Sequence, residues 1–187
     1  LYIDAGADLE QALALVENAK CQRPGVCNAI ETLLLHREIA GEFVLKLVAM
    51  AQRRGVELRG DAEARVLSSV FHAATEEDWA AEYLDLILAV RIVPDVSAAI
   101  DHINRYGSRH SDGIVTRDRN AERLFTRAVD SSCVYVNAST RFTDGGQFGM
   151  GAEMGISTDK LHARGPMGLE ELTTYKYIIQ GQGQIRP

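Results

Sequence analysis

The sequence predicts an α/β fold of three layers, with helices on both faces of a mostly parallel sheet. Three observations predict it. The stretch LDLILAVRIV at 84–93 is apolar almost throughout and β-branched at its end, the pattern of a strand covered on both faces, and Pro94 stops it. From there strand and helix patterns alternate as far as Val136, an order that brings parallel strands together through crossovers. The helical segments carry single apolar stripes at three- and four-residue spacing, so each has one face to bury.

Residues 1–4 read as a short strand, and Asp8 with Gln11 three positions on opens a helix whose stripe is Leu9, Ala12, Leu13, Val16 and Ala19. Pro24 and Gly25 break the chain. Leu33, Leu34 and Leu35 then form a run too short for an independent helix and apolar enough for a buried strand. A second helix is expected over 38–54, with Glu38 and Glu42 at its start, Arg53 and Arg54 at its end, Gly55 as its stop and an inner face of Phe43, Leu47, Met50 and Ala51. Residues 56–59 read as a brief strand, and the acidic segment 73–82, with Trp79, as irregular or weakly helical.

Past the 84–93 strand, a helix over 97–106 ends at Gly107 and a strand follows at 113–116. The next helix, 120–129, presents Ala121, Leu124, Phe125, Ala128 and Val129 on one stripe, and 133–136 is a further strand. From 138 to 168 the pattern dissolves into a glycine-rich tract (Gly145, Gly146, Gly149, Gly151, Gly155, Gly165, Gly168), and irregular connections of that length are usually functional. Residues 173–179 alternate like a strand exposed on one face, which needs a neighbour in this chain or a partner subunit.

At 187 residues the chain can bury a substantial core, and a net charge of -6 with no basic run points away from nucleic acid. Three cysteines, at 21, 27 and 133, make neither a disulfide framework nor a zinc pattern, which favours a reducing, cytoplasmic setting. No apolar run approaches the roughly 18 residues that span a bilayer. Five histidines show no metal-ligand spacing, so no metal is expected. The chain opens without methionine directly on a strand, as a piece of a longer protein would.

Chemistry centres on QRPGVCNAIETLLLH at 22–36. The break at Pro24 and Gly25 puts Cys27 on a turn between two packed elements. A thiol is nucleophilic as thiolate, and a nearby cation or free backbone N–H groups favour that form. Arg23 is a possible cation, and the N–H groups of Asn28 and Ala29 are possible donors to an oxyanion. The residues themselves leave a second reading open, in which Cys27 is a small buried hydrophobe. His36 or His162 would serve as base in a cysteine hydrolase, or be ordinary surface histidines. Gly149, Gly151 and Gly155 do not make a dinucleotide fingerprint, because FTDGGQ before them is not a strand.

QRPGVCNAIETLLLH, AEYLDLILAVRIV, INRYGSRHSDGIVT, VYVNASTRFTDGGQFGMGAEMGIST and KLHARGPMGLEELTTYKYIIQGQGQIR, in that order, resemble the γ-glutamyl phosphate reductases of the aldehyde dehydrogenase superfamily. The resemblance runs over essentially the whole chain, and the same module occurs as the reductase half of the bifunctional pyrroline-5-carboxylate synthases, which stands as an alternative. It implies the catalytic domain of that superfamily over 1–155, a segment at 156–173 returning towards a nucleotide-binding domain, and an oligomerisation tail at 174–187 that joins like subunits.

The implied reaction is NADPH-dependent reduction of L-glutamyl 5-phosphate to glutamate 5-semialdehyde, a step of proline biosynthesis, with Cys27 as nucleophile. Glu82 takes the place of the glutamate that approaches the nicotinamide ribose, or is simply a solvated acid. Asn137, Ser139, Thr140 and Arg141 enter the glycine-rich tract where the superfamily lines its substrate entrance. Arg23, Arg141 and Arg164 have the fork geometry for oxyanions, with Arg141 placed best. Members of the family carry their nucleotide-binding domain and oxyanion-hole side chain ahead of the strand matched by 1–4, so this polypeptide alone is expected to show little reductase activity. A non-catalytic assembly module is the remaining alternative.

Overall fold

A computed structural model describes all residues, Leu1–Pro187. Seven strands form one sheet, all pairs parallel: β1 (Tyr2–Ile3), β2 (Thr32–His36), β3 (Glu57–Gly60), β4 (His72–Ala73), β5 (Ile87–Val93), β6 (Ser111–Val115) and β7 (Cys133–Val136). Their order across the sheet is β4-β3-β5-β2-β1-β6-β7. The expected parallel α/β architecture is therefore the one found.

Helices cover both faces, as the continuous apolar strands require. On one side α1 (Leu9–Cys21), α2 (Arg37–Arg54) and α3 (Ala62–Leu67) pack on Ile3, Leu33, Leu35, Leu58, Leu88 and Val90. On the other, α4 (Val96–Tyr106) and α5 (Arg119–Ala128) cover Tyr2, Leu34, Val93 and Ile114. Neighbours in sequence go to opposite layers because strand side chains alternate. The four expected inner residues of α2, Phe43, Leu47, Met50 and Ala51, are all buried.

Local chemistry sets the ends. Asp8, Asp61, Asp95 and Asp118 each cap a helix by accepting from its first turn, and Gly55, at φ 70°, closes α2 in the left-handed conformation. The strand expected from Leu84 begins only at Ile87, since Leu84 itself has φ 55° and turns the chain. The short elements α3 and β4 went unpredicted, being six and two residues long.

The glycine-rich tract is irregular, apart from a 3-10 turn at Thr140–Phe142 and an antiparallel pair, β8 (Ile156–Ser157) with β9 (Gly165–Pro166). One expectation is corrected: residues 173–179 form no strand within this chain, and Tyr175, Tyr177, Ile178 and Ile179 are exposed. A strand is stable only when its backbone groups find a ladder partner, and none of this chain's strands pairs with the segment. No helix is long and apolar enough to cross a membrane.

Phe43 is fully buried under α2. Phe43→Ala is expected to destabilise the chain by about 3–5 kcal/mol, read as a lowered urea midpoint with little change in the slope of the transition.

Candidate active site

The turn that carries the cysteine links the end of α1 to the start of β2, so it lies at the amino end of the parallel strands. Residues 80–86 reach the same end by leading into β5, as do 107–110 by leading into β6. Together they wall a cavity of about 210 Å³, with Cys27, Glu31 and Thr32 on one side and Trp79, Glu82, His102, Tyr106 and Ser111 on the others. Open α/β sheets usually bind ligands at their carboxyl ends, where helix N-termini point. Here the C-termini of α1 and α4 arrive instead, and Glu31, Glu82 and Asp112 line the cavity. Positive potential for an anionic ligand must therefore come from side chains.

Cys27 is exposed, not buried among apolar side chains, and Ala29 N–H donates to the Val26 carbonyl at 3.0 Å to close a tight turn with Cys27 and Asn28 at its centre. That bond corrects one expectation: the Ala29 N–H is spent on the turn. The N–H groups of Cys27 and Asn28 donate to no other residue, the Cys27 N–H acting only on its own thiol, and both are open to an oxyanion. Burial pushes the Cys27 thiol above its ordinary value; its own N–H and Arg141 pull it down, while Glu153 and Glu82 push it further up. The resting group is a neutral thiol.

Arg23, the expected cation, is exposed and bonds to no protein group. The cation that bears on the thiol is Arg141. Its Nε donates to Gln22 Oε1 at 2.7 Å and its Nη1 to Asn28 Oδ1. No carboxylate lies within ion-pairing distance of it. Arg164, by contrast, is paired with Asp130 at 2.9 Å.

Asn28 is buried, and its amide nitrogen donates to the Thr143 carbonyl at 2.8 Å. Its own carbonyl accepts from Thr140 Oγ1 at 2.7 Å. Ser139 caps the 3-10 turn by accepting from the Arg141 N–H at 3.3 Å. The two buried hydroxyls thus hold backbone, and Arg141 alone of the 139–141 run keeps donors free. Asn137 also proves structural: its amide accepts from Thr116 N and donates to Thr116 O, each at 2.9 Å, at the far end of β7, with φ 53°. The Asn137 amide thus clamps β6 to β7.

His36 Nδ1 accepts from Glu38 N–H at 3.1 Å, capping α2 at the carboxyl end of β2, the opposite end of the sheet from Cys27. His162 is exposed and hydrogen-bonds to no protein group. The residues around Gly149 and Gly151 open no helix, in keeping with the rejected dinucleotide fingerprint.

Glu82 is exposed on the cavity wall and bonds to no protein group. It is held out by Asp78, which accepts from Thr75 N–H at 2.7 Å, Tyr83 hydroxyl at 2.6 Å and Arg59 at 2.8 Å. Burial raises the Asp78 carboxyl, but these bonds outweigh it and hold it well below the usual carboxylate range. Asp78 and Glu153 went unremarked in the sequence, and Gln22, though the first residue of the cysteine motif, was given no role there; its partner Arg141 lies far along the chain.

The chain is similar to known proteins over its full length. It is 58% identical over 186 residues to the γ-glutamyl phosphate reductase of Moorella thermoacetica, covering all of this chain and 44% of that protein. The crystal structure of γ-glutamyl phosphate reductase from Thermotoga maritima superposes with a TM-score of 0.95 at 50% identity, again over all of this chain and 45% of that one. An acetylating aldehyde dehydrogenase from Geobacillus thermoglucosidasius, at 16% identity and a TM-score of 0.71 over all of this chain and 51% of that one, shares the fold. No family model matches the chain. The resemblance read from the sequence thus holds throughout, and the chain spans under half the length of the relatives it matches.

Two outcomes follow. Alkylation of Cys27 by iodoacetamide at pH 7.5 is expected to be slower than that of an unperturbed thiol, faster in Glu82→Gln and Glu153→Gln, and slower still in Arg141→Met, because thiolate is the reacting form. Asp78 binds its proton less readily folded than unfolded. Its contribution to stability is thus present above the unfolded pKa of about 3.9 and lost as pH falls through the lower folded value. Urea midpoints measured from pH 6 down to pH 3 are expected to fall more steeply than in Asp78→Asn.

Proposed function

We propose that this chain carries the acyl-accepting half of a γ-glutamyl phosphate reductase, taking L-glutamyl 5-phosphate onto Cys27 as a step of proline biosynthesis. One observation carries the reading: the turn of an exposed cysteine, with N–H groups that bond to no other residue, is bonded through Gln22 and Asn28 to an arginine that no carboxylate neutralises. The relatives' names supply the substrate class.

The reading assigns Arg141 to an oxyanion of the substrate, its phosphate or its carboxylate. The exposed Cys27 thiol gives its proton to solvent, and the thiolate sulfur bonds to the acyl carbon. The carbonyl oxygen takes up negative charge against the N–H groups of Cys27 and Asn28. Collapse breaks the bond from carbon to phosphate oxygen, phosphate departs with that electron pair, and a thioester remains on Cys27. Phosphate is a good leaving group, so no general acid is required at this step.

The second half consumes a hydride, which a bound nicotinamide cofactor supplies; we assign NADPH. Glu82 fits such a group, being an unpaired carboxylate on the cavity wall beside Cys27, suited to accept hydrogen bonds from ribose hydroxyls. After reduction, release of the Cys27 sulfur frees the aldehyde and regenerates the nucleophile. We further assign 156–173 to a return towards a nucleotide-binding domain. The segment 174–187 is assigned to contacts between like subunits, supported by its exposed Tyr175, Tyr177, Ile178 and Ile179.

The test is acyl transfer itself. Incubation with an acyl phosphate is expected to leave an acyl adduct on Cys27 by mass spectrometry, with one phosphate released per adduct, and Cys27→Ser is expected to form no thioester. Phosphate release with no adduct in wild type, or an adduct elsewhere, overturns the reading.

A further inference from the structure

Arg141 is held from two sides, and both holders belong to the cysteine turn. Gln22 stands just after α1, five positions before Cys27, and Asn28 directly follows it. The Arg141 Nε donates to Gln22 Oε1 at 2.7 Å and Nη1 donates to Asn28 Oδ1, while Nη2 has no protein acceptor. Both acceptors are amide oxygens. Arginines in folded proteins are commonly oriented by carboxylates, which align the fork and cancel its charge together. Amides align the fork without adding charge.

The surroundings make that distinction matter. Helix C-termini and three acidic side chains face this end of the sheet, and Glu153 and Glu82 act on the thiol against Arg141. A carboxylate in either holding position would leave the site with no net positive group. Asn28 is fixed in turn, since Thr143 O and Thr140 Oγ1 engage its amide nitrogen and its carbonyl at 2.8 and 2.7 Å. The guanidinium, the turn and the 140–143 segment therefore form one rigid unit, joined across 113 residues.

We propose that Gln22 and Asn28 are positioning residues that orient the Arg141 fork across the Cys27 turn while leaving its charge whole for an oxyanion of the substrate. The inference rests on the assignment of Arg141 to the substrate oxyanion. It adds that the amide chemistry of its two holders, rather than hydrogen bonding alone, sets the affinity.

Inorganic phosphate serves as probe, read by the concentration that half-protects Cys27 from iodoacetamide, each variant being normalised to its own unprotected rate. Gln22→Glu retains the bond to Nε, so a merely structural role leaves protection and thermal midpoint unchanged or improves them. The expected result is instead a half-protecting concentration raised about tenfold, roughly 1.4 kcal/mol of binding, with the thermal midpoint held or raised. Asn28→Asp, read in the same way, is expected to act in the same direction, and the exposed Gln22 keeps the test intact should the buried variant fail to fold. Arg141→Met is expected to abolish protection. Loss in Arg141→Met with unchanged protection in Gln22→Glu overturns the positioning role and leaves the oxyanion assignment standing. Full protection in Arg141→Met, or none in wild type, overturns that assignment itself.

Discussion

A parallel sheet covered on both faces can meet a ligand only at its ends. Ile3, Leu33, Leu35 and Val90 fill one layer and Tyr2, Leu34 and Ile114 the other, so every inner strand is spent on packing. Chemistry is pushed onto the connections, and in this chain the cysteine lies on the connection at the amino end. That location has an electrostatic cost, because the helix ends that arrive there carry partial negative charge.

Several features of the site answer that constraint. A cation that acts on Cys27 comes from the glycine-rich tract, more than a hundred residues away, and it is oriented by neutral amides. Thr143 extends the same bracing, its hydroxyl meeting Ser111 at 2.6 Å and Tyr135 at 2.7 Å, so the tract is pinned to the first residue of β6 and to β7. Glu82 stands out from a segment locked by Asp78 and Arg59. A loop without regular structure is thereby made rigid by side-chain bonds.

The pair of buried Lys20 with half-buried Glu31, at 2.6 Å, supports the turn from beneath. Lys20 is fully buried at the last turn of α1, and Glu31 precedes β2, so the pair closes the base of the loop that presents Cys27. Removing one partner of such a pair strands the other charge, which makes it a determinant of this turn's geometry. The backbone adds a second tie, Ile30 N–H to Ala19 O at 3.1 Å.

What the sequence by itself determined was whatever depends on near neighbours. The stripes of α1, α2 and α5, the Asp8 cap of α1, the double-sided strand at β5 and the proline-glycine turn under Cys27 are local patterns with local causes, and they predicted the parallel α/β fold. The literal stretches from QRPGVCNA onwards likewise carried the family resemblance. Tertiary structure alone decided which arginine is bonded to the cysteine turn. Arg23 is four residues from Cys27 yet points to solvent, whereas Arg141 is brought in by the return of the chain after β7. It also decided that Asn137 clamps strands, that Ala29 N–H is spent on the turn, and that 173–179 has no strand partner here. Hydrogen bonds between segments far apart in the chain leave no periodicity for a sequence to display, because their energy depends on where the fold delivers each donor and acceptor.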